Sequence, residues 1–354
     1  MVKHIVSVDA GNGGVNAVKL NPKNNHYVSF PSIRNRVSGQ TLDLDDSGLS
    51  LLEYDWADFE GSRWTYGDDA LMFNRSTMDS HRGAYRYGDE VHRFLVAVAC
   101  SKLNVTSGVV DLVLFVPPGM YKRNKPILKN AFTGTCSIQF KNEDKPREWQ
   151  WGDVKVLPEG LGAITCFAIN ANGKRIKDSS TLDGEIVVLD IGMHTLDAMP
   201  LVNGNFNADE VEKATFEDSG IMNNILKPAL EYIKKNSTSD DFQVLTVYDI
   251  DAVLRAGMSV NDWNLTIGNQ NFDTKRLFEN LFARFAQWIK NNVFDARFDG
   301  MRGYKAAVIF GGGARMVDNH LIQIYGEKIL QFDNVDPLFA NAEGGIRLAK
   351  HHGA

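Results

Sequence analysis

The sequence predicts an α/β protein built from two related domains. Strand-like and helix-like segments are mixed along the whole chain, and each half opens with a strand, a glycine-rich turn and a second strand. The length of 354 residues suits two domains of ordinary size better than one.

In the first half, apolar residues predict two strands, 4–9 and 15–20, joined by a glycine-rich turn. The same patterns predict further strands at 64–66, 111–116 and 153–157, and helices at 91–103 and about 161–169. The polar segment 170–184 contains several turn dipeptides, so we expect a loop near the domain boundary.

The second half repeats this order. We expect strands at 185–190, 195–201 and 306–310, and helices at about 221–234, 274–294 and 340–350. Apolar and aromatic residues recur at helical spacing in the helix 274–294, which favours a buried core face over a binding surface.

Composition restricts the class of protein. With 38 Lys and Arg against 44 Asp and Glu, the net charge of −6 gives no overall field that favours DNA or RNA. The densest basic stretch, 121–125, is predicted to be a solvated surface loop, with a contact to an acidic partner as the alternative.

Three cysteines without CxxC spacing argue against a disulfide scaffold or a zinc site and are typical of a reducing compartment. The N-terminus lacks the apolar segment of an export signal, and no window approaches the ~18 apolar residues of a membrane span. We therefore expect a cytoplasmic protein that makes no membrane contact.

The first glycine turn runs from Asp9 through Gly11, Asn12 and Gly13 to Gly14, directly after a strand. Glycines let the backbone N–H groups approach phosphate oxygens, and a carboxylate at the strand end can hold Mg²⁺, directly or through water. A hairpin turn without a ligand is the alternative interpretation of this motif alone.

The second turn repeats the first, from Asp190 to Asp197, with Gly192, Met193, His194 and Thr195 between them. Two copies about 180 residues apart indicate two hairpins that bind one polyphosphate, unless the repetition is a coincidence. His194 could contact a phosphate or the attacking water, or serve as an ordinary polar turn residue.

A third turn, Gly311, Gly312, Gly313 and Ala314, follows the strand 306–310, and its glycines would let a nucleoside lie against the backbone. The chain contains no GxxxxGK[ST], and no GxGxxG stands between a strand and a helix. A P-loop and a Rossmann dinucleotide site are therefore not expected.

These three turns, in this order, resemble the superfamily of actin, sugar kinases and heat-shock chaperone ATPases. Three smaller segments, 67–70, 154–160 and 339–345, resemble bacterial ParM-type plasmid-segregation actins. The resemblance implies a two-domain actin-like (duplicated ribonuclease-H-like) ATPase fold with a nucleotide in the cleft between domain I (1–170 plus 337–354) and domain II (171–336).

The resemblance also implies roles for single residues. Asp9 and Asp190 would hold Mg²⁺, and Glu159 would orient the attacking water, with a surface glutamate that caps the next helix as the alternative. Gly220, the helices near 221 and 275–285 and the third turn would form the nucleoside pocket. The family's usual lysine, seven residues after the first Asp, is Asn16 here, and strand alternation puts Lys19 on the opposite face.

The implied function is ATP hydrolysis coupled to dynamic filaments of the chain itself, with a DNA-binding adaptor and no direct contact with nucleic acid. The sequence leaves the choice between ATP and GTP open. A small-molecule kinase of the same superfamily is the alternative, but the segment 117–120 offers no carboxylate to act as its base.

Overall fold

The computed structural model describes residues 1–37, 54–73, 78–80, 86–176, 182–206, 215–237, 240–267 and 270–353. The chain divides into two compact units, of which the first comprises Met1–Ser179 and Asn334–Ala354 and the second Ser180–Asp333. The predicted loop 170–184 is irregular where it is described, and its central part lies outside the described residues.

The first unit contains a ten-stranded mixed sheet in the order β3-β2-β1-β8-β10-β9-β5-β6-β4-β7. The strands are β1 Lys3–Ala10, β2 Gly14–Lys19, β3 His26–Pro31, β4 Ile33–Arg36, β5 Trp56–Phe59, β6 Ser62–Tyr66, β7 Met78–Ser80, β8 Val109–Val116, β9 Thr135–Phe140 and β10 Arg147–Pro158. The helices are α1 Gly67–Phe73, α2 Glu90–Lys102, α3 Tyr121–Ala131, α4 Leu161–Ala168 and, from the C-terminus, α9 Ala340–His351.

Strand β1 lies centrally, antiparallel to β2 and parallel to β8. Its residues 5–8 are all buried because α2 contacts one side of the sheet and α9 the other. Burial on both faces explains why residues 5–8 are apolar apart from Ser7, without the strict alternation of a half-exposed strand.

Helix α9 packs against α4 through glycines, since a Cβ at Gly344 would meet only backbone atoms of Gly162 among its nearest neighbours. Next to this contact, the buried side chains Glu343 and Arg347 form an ion pair at 3.1 Å. The Arg347 guanidinium also donates to the carbonyl oxygens of Cys166 and Ile169, both at 3.0 Å. These buried charges are satisfied by hydrogen bonds, as a low-dielectric interior requires.

The second unit has a sheet in the order β13-β12-β11-β17-β18, to which β14 adds on β12, and a separate hairpin of β15 and β16. The strands are β11 Glu185–Ile191, β12 Leu196–Val202, β13 Asn205–Phe206, β14 Thr215–Phe216, β15 Asn264–Ile267, β16 Gln270–Asp273, β17 Ala306–Phe310 and β18 Ile329–Leu330. The helices are α5 Lys227–Asn236, α6 Val247–Val260, α7 Lys275–Ile289 and α8 Ala314–Tyr325.

The apolar face of α7 is buried, as its helical spacing predicted, with Phe278 and Phe285 at the core of the unit. The helices expected at 221–234 and 274–294 are each present but change geometry along their length. π-helical turns occupy Met222–Leu226 before α5 and Lys290–Asp295 after α7. Hydrophobic periodicity predicts the buried face but does not distinguish these turns from α-helix.

The basic stretch 121–125 is not a loop: it forms the first turns of α3. The prediction was wrong because Pro117, Pro118 and Gly119 mark a break after β8 but leave the helix free to begin two residues later. The buried side chains of Asn124 and Leu128 show that α3 lies on the unit rather than in solvent.

Within the described ranges, no helix is long and apolar enough to cross a membrane. The three cysteines are all free and buried. Burial raises the pKa of the Cys136 and Cys166 thiols to about 12, which makes them core residues rather than reactive thiols.

Candidate functional site

The first glycine turn closes the hairpin of β1 and β2 in the first unit. The backbone N–H of Gly11 donates to the carbonyl oxygen of Gly14 at 2.9 Å, and that of Ser32 donates to the carbonyl oxygen of Gly13 at 3.3 Å. Asp9 pairs with Asn16 across the hairpin, so both side chains lie on one face of the sheet. The turn is thereby held rigidly beside a carboxylate.

The carboxylate of Asp9 is positioned by Asn341 of α9, whose Nδ2 donates to Oδ2 of Asp9 at 3.0 Å. Oδ1 of the same Asn341 accepts a 3.0 Å hydrogen bond from the backbone N–H of Gly160. Burial raises the pKa of Asp9, and the hydrogen bond from Asn341 and the positive charge of Arg86 oppose that rise. One side chain thus links the end of β1 to the turn that follows β10.

Glu159 stands on that turn, between the end of β10 and the left-handed Gly160 that begins α4. Its backbone N–H donates to the carbonyl oxygen of Val116 at 2.8 Å, which keeps it beside the end of β8. Glu159 is only 9% exposed, which contradicts the surface position in the alternative of a glutamate that caps the next helix.

Two buried residues just before α2 connect these parts. The guanidinium of Arg86 donates from Nη1 to Oδ1 of Asn12 in the turn, and from Nη2 to the Tyr87 hydroxyl at 2.6 Å. Burial, and next the charge of Glu159, raise the pKa of Tyr87. The first unit therefore brings together Asp9, Asn12, Glu159 and the Arg86–Tyr87 pair.

The second turn has the same construction in the second unit. The N–H of Gly192 donates to the carbonyl oxygen of Thr195 at 3.0 Å, and Asp190 pairs with Asp197 across the hairpin. The backbone N–H of Gly220 donates to the carbonyl oxygen of His194 at 3.1 Å. The nearest neighbours of a Cβ at Gly220 would be backbone atoms of Gly192 and Met193 within 2.7 Å, so only glycine fits there.

The third turn lies beside the second because β17 runs parallel to β11, with Asp190 opposite Phe310. Gly311 has φ +89° and a Cβ there would clash with Oδ1 of Asp190, so this glycine lets the turn reach the carboxylate. The N–H of Gly313 donates to the carbonyl oxygen of Ile191 at 2.9 Å, and α8 begins at Ala314. In the second unit, Asp190, Gly220 and the second and third turns are thus gathered at one end of the sheet.

The two hairpin turns match in detail. In each, the Asp precedes the first glycine by two residues, that glycine closes the turn on the residue three further on, and a parallel strand lies on the other side of the Asp strand. The carboxyl ends of such neighbouring strands are the usual place for ligands in α/β sheets.

Among the described residues, no group of three or more His, Cys, Asp or Glu side chains is arranged to hold a metal ion. Mg²⁺ retains waters and needs only one or two carboxylates besides substrate phosphates. The carboxylate of Asp9, which accepts a hydrogen bond from Asn341 beside the first glycine turn, has the chemistry to hold such a partly hydrated ion.

The first unit also has a groove of about 530 Å³ between α3 and β10, lined by residues such as Lys125, Phe132 and Lys155. None of the residues proposed from the sequence lines it. The candidate site is therefore defined by the turns and their hydrogen bonds and not by this groove.

Three residues of the site were missed in the sequence. Asn341 lies in the segment 339–345 that was singled out, but its role requires α9 to return to β1, 332 positions away. Arg86 and Tyr87 follow no glycine turn and show no spacing that points to the site. Asp197, which ends the second motif in the sequence, accepts a hydrogen bond from the Thr215 hydroxyl of β14.

Residues 7–162 match the family described as "Actin like proteins N terminal domain". This part of the chain resembles the N-terminal domain of actin-like proteins. No curated protein matches the sequence closely enough to count as a relative. Solved actin-like structures resemble it over nearly their whole length.

An archaeal actin homolog, Ta0583, solved in complex with ADP, has a TM-score of 0.75 at 15% identity, with 99% of each chain covered. A ParM from a 15-stranded filament of Clostridium botulinum has a TM-score of 0.70 at 21% identity, again with 99% of each chain covered. ParM of Bacillus thuringiensis with AMPPNP has a TM-score of 0.68 at 16% identity, with 98% of each chain covered. At these identities the likeness concerns the fold, and it confirms the actin-like architecture expected from the sequence.

Proposed function

We propose that this actin-like protein binds and hydrolyses ATP with Mg²⁺ and assembles into filaments of its own chain. The observation that carries the proposal is the duplicated turn, in which the same carboxylate and glycine backbone recur in both units. Similar structures contain ADP or AMPPNP, and one of them is a filament, which supports both parts of the proposal.

In this proposal, the turns 11–13 and 192–195 bind phosphate through their backbone N–H groups. Asp9 and Asp190 would hold hydrated Mg²⁺, which when bound neutralises charge on the phosphates during transfer. The turn 311–314 and Gly220 would lie beside the nucleoside, because Gly311 and Gly220 let their backbone pack closely against the second turn and its Asp. Phosphoryl transfer depends mainly on positioning and on charge, which this arrangement supplies.

Glu159 would orient the water that attacks the γ-phosphate, because it is buried at a fixed turn in the same group of side chains as Asp9. Changing Glu159→Ala should leave nucleotide binding intact and slow phosphate release by ~10²–10⁴-fold, the usual contribution of such a group. Glu148→Ala, an exposed glutamate at the other end of β10, is the matched control and should turn over normally. Normal turnover of the Glu159 variant would remove the residue from the mechanism.

The filament is tested by light scattering of the purified chain at rising concentration with ATP–Mg²⁺, with ADP–Mg²⁺ and without nucleotide. We expect scattering above a threshold concentration with ATP, followed by decay as phosphate is released. GTP in place of ATP tests the preference for the base. A flat trace with bound nucleotide, together with ATP consumption only after sugars are added, would favour the kinase.

The cargo that we propose is plasmid DNA, held through a DNA-binding adaptor. The net charge of −6 disfavours direct contact with the DNA backbone. Filaments that sediment plasmid DNA without any added protein would contradict the need for an adaptor.

A further inference from the structure

Arg86 is a buried cation in contact with the first phosphate-type turn. It is 5% exposed, and its guanidinium donates to the side chain of Asn12 within the turn. Its carbon Cζ lies 4.7 Å from the centre of the Tyr87 ring, and its Nη2 donates to the hydroxyl of the same residue. A guanidinium held from two sides has little freedom left, so its orientation beside the turn is fixed.

The hairpin does not supply a cation of its own at this end. Lys3 pairs with Asp111 at 2.8 Å, and Nζ of Lys19 donates to the carbonyl oxygen of Asn104 at 3.3 Å. Asn16, which faces Asp9 across the hairpin, is neutral and accepts a hydrogen bond from the Ser29 hydroxyl at 2.8 Å. A triphosphate at this turn would therefore meet positive side-chain charge from a different element.

Arg86 is placed to provide that charge. Its hydrogen bond to Asn12 places it at the turn that follows Asp9, and its positive charge opposes the rise in the pKa of Asp9. Guanidinium groups bind phosphate in a planar, two-pronged geometry that a lysine ammonium cannot reproduce.

We propose that Arg86 is a phosphate-binding residue of the nucleotide site, oriented by Asn12 and Tyr87. The inference rests on the proposed nucleotide binding and adds to it the residue that contributes positive side-chain charge at the first turn. It implies that replacing Arg86 lowers the affinity for nucleotide directly, by more than the accompanying loss of folding stability would explain.

The test is calorimetric titration of the full chain with AMPPNP–Mg²⁺. Arg86→Gln should weaken binding by about 10- to 100-fold, the range expected for a charge-assisted hydrogen bond. Arg86→Lys should bind at least about threefold more weakly than wild type, because it keeps the charge and loses the fork. Added salt should weaken the wild type more than the Gln variant, since one screened charge pair is missing.

Arg34→Gln is the matched control. Arg34 is also buried in the first unit, 3% exposed, but it stacks on Trp64 and pairs with Glu90 at 3.0 Å. The Arg34→Gln variant should have a lower melting temperature than wild type but no selective loss of affinity for AMPPNP. The double variant Asn16→Lys with Arg86→Gln should recover part of the affinity, because position 16 faces Asp9.

Wild-type protein that does not bind AMPPNP–Mg²⁺ would refute the proposed function itself. If wild type binds and the affinities of Arg86→Gln and Arg86→Lys for AMPPNP–Mg²⁺ are both within twofold of wild type, the proposed function stands and the role of Arg86 is overturned. If Arg86→Gln does not fold, Arg86→Lys decides alone, and wild-type affinity in that variant rejects the inference.

Discussion

The contact between α4 and α9 can be tested by one methyl group, in the variant Gly344→Ala. The three atoms nearest to the new Cβ would be the carbonyl oxygen, carbonyl carbon and Cα of Gly162, the farthest only 2.7 Å away. All three belong to backbone, so no side chain can rotate to make room. The nearest of them, the carbonyl oxygen, would lie 1.8 Å away, so the two helices would have to separate by about 1.5 Å to restore ordinary contact distances.

The expected cost follows from two opposing effects. Overpacking a closely packed interior costs about 1–3 kcal/mol, and backbone against backbone belongs at the upper end. Alanine gains about 1 kcal/mol over glycine in a helix interior, which offsets part of the cost. We expect a net loss of about 2 kcal/mol, or about 4–8 °C in melting temperature for a unit of this size.

The same variant should also weaken nucleotide binding. Asn341 lies three residues earlier on α9 and holds both the Asp9 carboxylate and the N–H of Gly160. A shift of α9 lengthens these hydrogen bonds, so affinity for AMPPNP–Mg²⁺ should fall by severalfold. The position of the helix thereby links the stability of the first unit to its site.

Melting is measured by circular dichroism and binding by calorimetry, with Gly303→Ala as the control. A Cβ at Gly303 would meet nothing within 4 Å, so that variant should stay within about 0.5 kcal/mol of wild type. A Gly344→Ala protein that melts at or above the wild-type temperature and binds nucleotide normally would show that the helices adapt freely, and would refute this reasoning.

Two further predictions concern pH. Burial, with smaller effects from Arg86 and Arg93, lowers the pKa of His92 to about 3, and its Nδ1 accepts from the N–H of Gly88 at 2.9 Å. The folded chain therefore resists protonation, and stability falls as pH drops below about 6.5, by up to ~1.4 kcal/mol per pH unit. His92→Gln should flatten the melting temperature between pH 6.5 and pH 4.5, and curves parallel to wild type would contradict this. Burial raises the pKa of Asp318 to about 7, and its Oδ1 has no hydrogen-bond partner among the described residues. Stability is therefore lost as pH rises from about 4 to about 7, and Asp318→Asn should melt higher than wild type at pH 8 but not at pH 5. An equal difference at both values would show that the charge of Asp318 is not the cause.

Much of the candidate site could be predicted from residues that are neighbours in the sequence. Each hairpin turn is a strand, a carboxylate and glycines in direct succession, so the elements and their order follow from neighbouring residues. The strand 306–310 appears with the bounds expected, because five apolar residues followed by three glycines leave little choice. The helix from Ala340 and the buried face of α7 follow from periodicity in the same way.

Other features had no local signal. The Asp9 carboxylate is oriented by a hydrogen bond from Asn341, which lies 332 positions away in the sequence. The side chain of Asn12 accepts a hydrogen bond from Arg86, which lies 74 positions away. No periodicity or spacing rule connects positions so far apart, since they meet only when the sheet and its covering helices are assembled. The helical state of 121–125 was likewise decided by packing of Asn124 and Leu128 onto the unit, against the loop expected from its charges.

The sequence by itself determined that each half of the chain carries a glycine turn directly after a strand that ends in Asp, because glycine conformation and strand alternation act between neighbouring residues. Only the tertiary structure decided which polar side chains surround the first turn. Those side chains come from α9 and from the segment before α2, and buried polar groups choose partners by proximity in space rather than along the chain.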